Sequence, residues 1–188
     1  GASTFVYSRP VAMSSQASRR NVFLTGPMGS GKTAVGKQLA RLLDLTFYDS
    51  DVEIERRTGV DIPYIFEKEG ETGFRERERE VIDSLTQLQD VVIATGGGAV
   101  LLPENREGLA ERGRVVYLRT RIRQQLERTR HGRQRPLLYT ADPEARLDQL
   151  HGAWRPRRKP VADGGEVQPR LLRGLLLALR AEVRAFAD

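Results

Sequence analysis

Gly26-Pro27-Met28-Gly29-Ser30-Gly31-Lys32-Thr33 has the residue types and spacing G-x-x-x-x-G-K-[ST] of a phosphate-binding loop. Glycines let the main chain turn and aim its N–H groups inward at phosphate oxygens. A helix starting at the end of the loop adds partial positive charge there. Gly29, Ser30, Gly31 and Ala34 would offer main-chain contacts. Lys32 can reach the β- and γ-phosphates, and the Thr33 hydroxyl can ligate Mg²⁺. A glycine-rich strand–helix turn without a ligand is the bland alternative. The complete motif favours a site for a nucleoside triphosphate.

Two further stretches carry chemistry. Asp49-Ser50-Asp51 presents two carboxylates one residue apart, so one can sit near a metal and the other near an acceptor hydroxyl. The competing local explanation is that Asp51 only caps the helix that follows. Gly96-Gly97-Gly98 allows close approach of main chain to a ligand, or forms a tight turn and nothing more.

These groups need a framework that brings strand ends together. Asn21–Thr25 is a short apolar run read as a buried strand, and Ala34–Leu43 places Val35, Leu39, Leu42 and Leu43 on one helical face. Leu45–Tyr48 favours a strand ending at the two carboxylates. Helices are predicted over Val52–Thr58, from Asp61 to near Gly70, and from Glu71 to Leu88. The last carries the charged run Arg75 to Glu80, of which Arg77 and Arg79 read as solvated surface. Val91–Ala94 is a strongly apolar strand running into the glycine triplet. A helix over Pro103–Arg112, a strand over Val115–Leu118 and a helix over Arg121–Arg130 follow. Residues 131–142 form a long polar segment with the character of a lid, carrying Arg133 and Arg135. A helix from Pro143 to Trp154, a weak strand within Val161–Gln168 and an amphipathic helix over Pro169–Phe186 complete the chain. The alternation predicts an α/β fold of three layers with a mostly parallel sheet. In an open sheet of this kind, ligands bind at the carboxyl ends of the strands. Residues 1–20, rich in Ser and Ala, are expected to be a disordered extension to a single domain over 21–188.

Composition narrows the function. The 188 residues suit one domain. The net charge of +6 raises a nucleic-acid partner, but acidic residues are interspersed and aromatic residues are few, so no stacking platform for bases is visible. Without cysteines there are no disulfides and no thiolate metal site. No apolar run approaches the ~20 residues that span a bilayer, and no signal-peptide core is present. A cytoplasmic monomer binding neither nucleic acid nor membrane is expected.

Taken together, the motifs resemble those of the shikimate kinases, within the nucleoside-monophosphate-kinase-like group of P-loop proteins. The resemblance covers about Asn21 to Lys159. It rests on the P-loop, Asp49-Ser50-Asp51, Ile65-Phe66 with Gly70-Glu71 and Phe74-Arg75, Gly96-Gly97-Gly98-Ala99-Val100, and Arg135-Pro136-Leu137-Leu138, all in order. It implies a five-stranded parallel sheet in the order 2-3-1-4-5, with ATP and Mg²⁺ at the P-loop and shikimate as phosphoryl acceptor. It implies that Thr33 and Asp49 serve the metal, and that Asp51 orients and helps deprotonate the acceptor hydroxyl. Arg75 would clamp the shikimate carboxylate. Gly96, Gly97 and Gly98 would line the substrate region, Arg128 would lie against adenine, and the lid residue Arg135 would reach the phosphates. Catalysis would then fall to Lys32, Asp51 and Arg135. One departure stands out: where the family carries R-x-P-L-Y, this chain reads Trp154-Arg155-Pro156-Arg157-Arg158. Arg155, adjacent to the expected position, is assigned as the second carboxylate clamp, with a weaker clamp or its replacement by Arg157 or Arg158 as the alternatives. Related kinases of gluconate or nucleoside monophosphates, and a nucleotide-binding regulatory module, are the alternatives. A GTPase would carry an N-K-x-D run, which is absent.

Overall fold

Alternation along one short strand shows how the layers form. In β2 (Val22–Thr25), Val22 and Leu24 face one apolar cluster and Phe23 faces another. A strand buried on both faces is what a parallel sheet covered by helices requires. The computed structural model describes residues 4–7 and 20–118, together with single positions 120, 122, 125, 142, 145, 173, 174 and 177.

The elements after β2 are α1 (Lys32–Leu43), β3 (Thr46–Asp49), α2 (Ser50–Thr58), α3 (Ile62–Thr86), β4 (Val91–Ala94), α4 (Pro103–Arg112) and β5 (Arg114–Leu118). Strands β3, β4, β2 and β5 lie side by side and parallel, with Phe23 in register with Ile93 and Val115. That is the expected order for four strands. One cluster packs α1 on the sheet through Val35, Leu39 and Leu43. The other packs α2, α3 and α4 on the opposite face through Ile54, Phe74, Ile82 and Leu109. The protein is therefore a three-layer α/β domain.

The position beyond β5 is held by β1 (Thr4–Tyr7), which pairs antiparallel with β5. The expectation of disorder across residues 1–20 is corrected for these four residues. Thr4-Phe5-Val6-Tyr7 consists of β-branched and aromatic types that favour strands, and β5 offers an edge to pair with. The weak strand expected within 161–168 lies outside the described residues, as do the lid residues 131–141 and most of the last two helices. Residues 122 and 125, residue 145, and residues 173, 174 and 177 are helical, inside the helices expected there.

Asp61 caps α3 by accepting from Tyr64 N–H at 2.9 Å, and Pro63 sits in its first turn. Gly70 breaks the helix at φ 70, ψ −173. The two helices expected on either side of Gly70 are thus present, meeting at a left-handed glycine. Among the described residues no helix is long and apolar enough to cross a membrane.

Candidate active site

The carboxyl ends of β2, β3 and β4 converge, and each delivers one of the motifs. After β2 the P-loop turns through Gly26, Gly29 and Gly31, all at positive φ, the last serving as N-cap of α1. Lys32 is nearly buried. Its Nζ donates to Gly26 O at 2.8 Å and to Pro27 O at 2.9 Å, with Ser30 Oγ at 3.4 Å. The loop is therefore already wrapped around its lysine. The Gly26 Cα packs so closely on Leu118 O that a side chain there would overlap β5.

β3 delivers the carboxylates, and the structure separates their tasks. Asp49, not Asp51, caps α2: its Oδ1 accepts Asp51 N–H at 3.1 Å, and the helix begins at Ser50. The local alternative for Asp51 is overturned, because the cap lies two residues earlier, at Asp49. The second oxygen of Asp49 accepts from Thr33 Oγ1 at 2.7 Å, joining β3 to the P-loop helix. A hydroxyl and a carboxylate side by side at the loop are hard oxygen donors. Mg²⁺ favours such a pair, since it takes one or two protein oxygens and leaves its other positions to phosphate and water. Thr33 and Asp49 therefore fit the metal role expected of them.

Asp51 is partly exposed as a residue, yet its Oδ1 is shut off from solvent, and among the described residues no donor reaches it. Burial raises its pKa from 3.8 to about 7, helped by the charges of Glu78 and Asp49 and opposed by Lys32 and Arg75. A carboxylate held near neutrality is suited to take a proton at physiological pH.

Arg75 comes from α3. It is buried, and its Nη1 donates to Glu78 at 2.6 Å and its Nη2 to Glu71 at 3.1 Å. Glu78 is fully buried with Oε1 unpartnered among the described residues, and burial raises its pKa against the pull of Arg75. Reading the charged run as surface missed this residue. Its signal was available: Glu78 lies four residues after Phe74 and three before Val81, on the apolar stripe of the helix. Arg77 and Arg79 are outside that stripe, and Arg77 pairs with Glu69 near the surface as expected.

The glycine triplet after β4 is where these parts meet. A Cβ on Gly96 would lie 2.7 Å from Asp51 Oδ1 and overlap Glu78 Oε1. One on Gly97 would lie 3.2 Å from Met28 N of the P-loop, and one on Gly98 would overlap the Arg75 guanidinium. The bland tight-turn alternative explains none of this. Side chains at Gly96 and Gly98 would overlap the carboxylate pair and the guanidinium, and one at Gly97 would press on the phosphate loop. Arg128, Arg135 and Arg155 lie outside the described residues.

Comparisons with known proteins identify the family. A family model described as Shikimate kinase matches residues 28–163. A shikimate kinase of Methylococcus capsulatus is 57% identical over 145 residues, covering 77% of this chain and 81% of that protein. One from Ralstonia nicotianae is 58% identical over 142 residues, covering 76% and 75%. Among solved structures, a shikimate kinase from Acinetobacter baumannii in complex with shikimate superposes with a TM-score of 0.72 at 42% identity, covering 90% of this chain and 94% of that one. With the P-loop, the paired aspartates, Arg75 and the glycine triplet gathered at one end of the sheet, and with relatives this similar over most of their length, the chain belongs to the shikimate kinase family.

Proposed function

We propose that this protein transfers the γ-phosphoryl group of ATP to the 3-hydroxyl of shikimate, giving shikimate 3-phosphate and ADP on the route to chorismate and the aromatic amino acids. The observation that carries this is the convergence of Asp51 and Arg75 on a glycine triplet packed against the P-loop. An acceptor bearing both a carboxylate and a hydroxyl would be gripped at one end by Arg75 and oriented at the other by Asp51. A guanidinium suits a carboxylate because it can bond bidentately.

Gly29, Ser30, Gly31 and Ala34 offer main-chain N–H groups to the phosphates, and Lys32 turns from the loop carbonyls toward the β- and γ-oxygens. Thr33 and Asp49 would hold Mg²⁺, which when bound neutralises the charge that develops on the phosphate oxygens. The acceptor oxygen bonds to the γ-phosphorus as the bond to the bridging oxygen of ADP breaks, and the hydroxyl proton passes to Asp51. Gly96, Gly97 and Gly98 line the acceptor side. Arg135, in a lid over 131–142, reaches the phosphates, Arg128 lies against the adenine, and Arg155 is the second clamp on the carboxylate. Phosphoryl transfer asks mainly for alignment, charge stabilisation and exclusion of water, which this division of tasks supplies. The protein acts as a cytoplasmic monomer without nucleic acid or membrane, in keeping with its interspersed charges.

The test is ADP release in the presence of ATP and Mg²⁺, with and without shikimate, using gluconate and nucleoside monophosphates as controls. Stimulation by shikimate alone is the expected result. Equal stimulation by gluconate, or none by shikimate, would overturn the acceptor assignment while leaving the nucleotide site intact.

A further inference from the structure

Ser50 stands between the two aspartates, fully buried at the first position of α2. Its Oγ accepts a hydrogen bond from Gly96 N–H at 2.8 Å. That N–H lies beyond the end of β4 and is buried, so losing this acceptor would leave a costly orphan donor. On its other side the turn is tied to β2: Thr95 N–H and Thr95 Oγ1 both donate to Leu24 O, at 3.0 and 3.2 Å. Downstream the turn closes on itself through Ala99 N–H to Gly96 O at 3.2 Å and Leu101 N–H to Gly98 O at 2.9 Å. The first glycine of the triplet is thus held between the ends of β3 and β2, and Ser50 makes the β3 attachment.

The clearances around the triplet make this attachment consequential. Gly96 abuts Asp51 and Glu78, Gly97 abuts the main chain of Met28 in the P-loop, and Gly98 abuts the Arg75 guanidinium. A displacement of Gly96 therefore moves the wall shared by the acceptor groups and the phosphate loop. Three consecutive side chains at one strand end have separate surroundings: Asp49 bonds to Thr33, Ser50 bonds to Gly96 N–H, and Asp51 Oδ1 lies beside Gly96 and Glu78.

We propose that Ser50 is a positioning residue for phosphoryl transfer: by pinning Gly96 it sets the spacing between the acceptor pocket and the P-loop. This rests on the shikimate kinase function proposed above and adds a residue to it. Alignment of acceptor oxygen and γ-phosphorus is sensitive to shifts of about 1 Å, which can lower a rate by roughly 10²-fold. Nucleotide affinity rests on the P-loop's own groups and is less sensitive to this spacing than the alignment of the two reacting atoms. Removing the hydroxyl should therefore reduce kcat far more than it alters KM for ATP, whereas a residue that only fills space would change neither apart from its effect on stability.

The experiment compares the full chain with Ser50→Ala and Ser50→Thr. One arm needs no substrate: amide hydrogen exchange at Gly96, Gly97 and Gly98 in the nucleotide-free protein. Ser50→Ala should speed exchange at Gly96 by about tenfold or more while Val91–Ala94 keep their protection, and Ser50→Thr, which retains the oxygen, should restore slow exchange. The second arm is steady-state ADP release. Ser50→Ala should lower kcat with shikimate by about tenfold or more with KM for ATP within about threefold, and Ser50→Thr should recover most of that loss. Unchanged exchange at Gly96 in Ser50→Ala, or a kcat within about twofold of the parent chain, would overturn the proposal. So would a Ser50→Thr chain that restores slow exchange without restoring kcat. Absence of shikimate-dependent ADP release in the parent chain would instead remove shikimate as acceptor, and the exchange arm would then decide by itself whether Ser50 pins the triplet.

Discussion

Arg75 and Glu78 meet at 2.6 Å inside the protein, one helical turn apart on α3, and Glu78 keeps its second oxygen unpartnered among the described residues. An arginine bonded to a buried glutamate is fixed in place, and its guanidinium lies against Gly98 of the glycine triplet. Breaking a buried pair from one side leaves a charge uncompensated. Glu78→Gln should therefore loosen the Arg75 guanidinium and lower kcat/KM for shikimate by roughly 10–100-fold while KM for ATP changes little. Steady-state kinetics with each substrate varied in turn would check this. An equal loss for both substrates would contradict it.

Side-chain clearances in the triplet predict a graded series. A methyl on Gly98 would run into the Arg75 guanidinium, and one on Gly97 would press on Met28 N at 3.2 Å. Gly98→Ala should raise KM for shikimate about tenfold or more and spare nucleotide affinity. Gly97→Ala should disturb the P-loop as well, weakening both substrates. Titration of each variant with ADP, alongside shikimate kinetics, separates the two outcomes.

Much of this was legible in the sequence because the P-loop, the aspartate pair and the glycine triplet are local patterns with local causes. The break at Gly70 and the cap at Asp61 were legible for the same reason. Glu78 was missed because a run of alternating Arg and Glu looks solvated when read by composition, although the helical period puts it on the stripe between Phe74 and Val81. The choice between Asp49 and Asp51 as helix cap also depended on where α2 begins, a boundary that sequence defines only to within a residue or two. Strand β1 was hidden by its surroundings: four strand-favouring residues in a Ser- and Ala-rich segment gain structure only by pairing with the edge of β5.

Lys32 bonds to the carbonyls of Gly26 and Pro27, so it holds the loop in addition to the phosphate role proposed for it. Lys32→Met should lower kcat by at least roughly 10²-fold. It should also lower the Tm by about 2–6 °C, since two inward-facing carbonyls lose a charged donor. A thermal melt with and without ADP would show both effects: a lower baseline and a smaller shift on adding nucleotide. An unchanged melting curve would mean that the lysine serves only the ligand.

Arg135 is expected to act from the lid after both substrates are bound. Arg135→Ala should lower kcat about tenfold or more while the KM for shikimate stays within about threefold. Kinetics matching the parent chain would remove Arg135 from the site.

Asp51 supplies the sharpest prediction because its chemistry and its stability pull in opposite directions. Its folded pKa of about 7 stands above its ordinary value of 3.8. Between those two pH values the folded chain holds a proton there that the unfolded chain has released, so stability falls as pH rises through the window and the full cost is present above about pH 7. Asp51→Asn cannot ionise and escapes that cost. In the absence of ligands and metal, its Tm should match the parent near pH 4 and exceed it by roughly 3–8 °C at pH 8. The same substitution should lower kcat by about 10²-fold or more, because no group remains to accept the hydroxyl proton. Thermal melts at the two pH values, paired with ADP-release assays, test both halves. A variant less stable than its parent at pH 8 would show that the buried carboxylate is held by partners rather than strained. A variant as active as its parent would remove Asp51 from proton transfer.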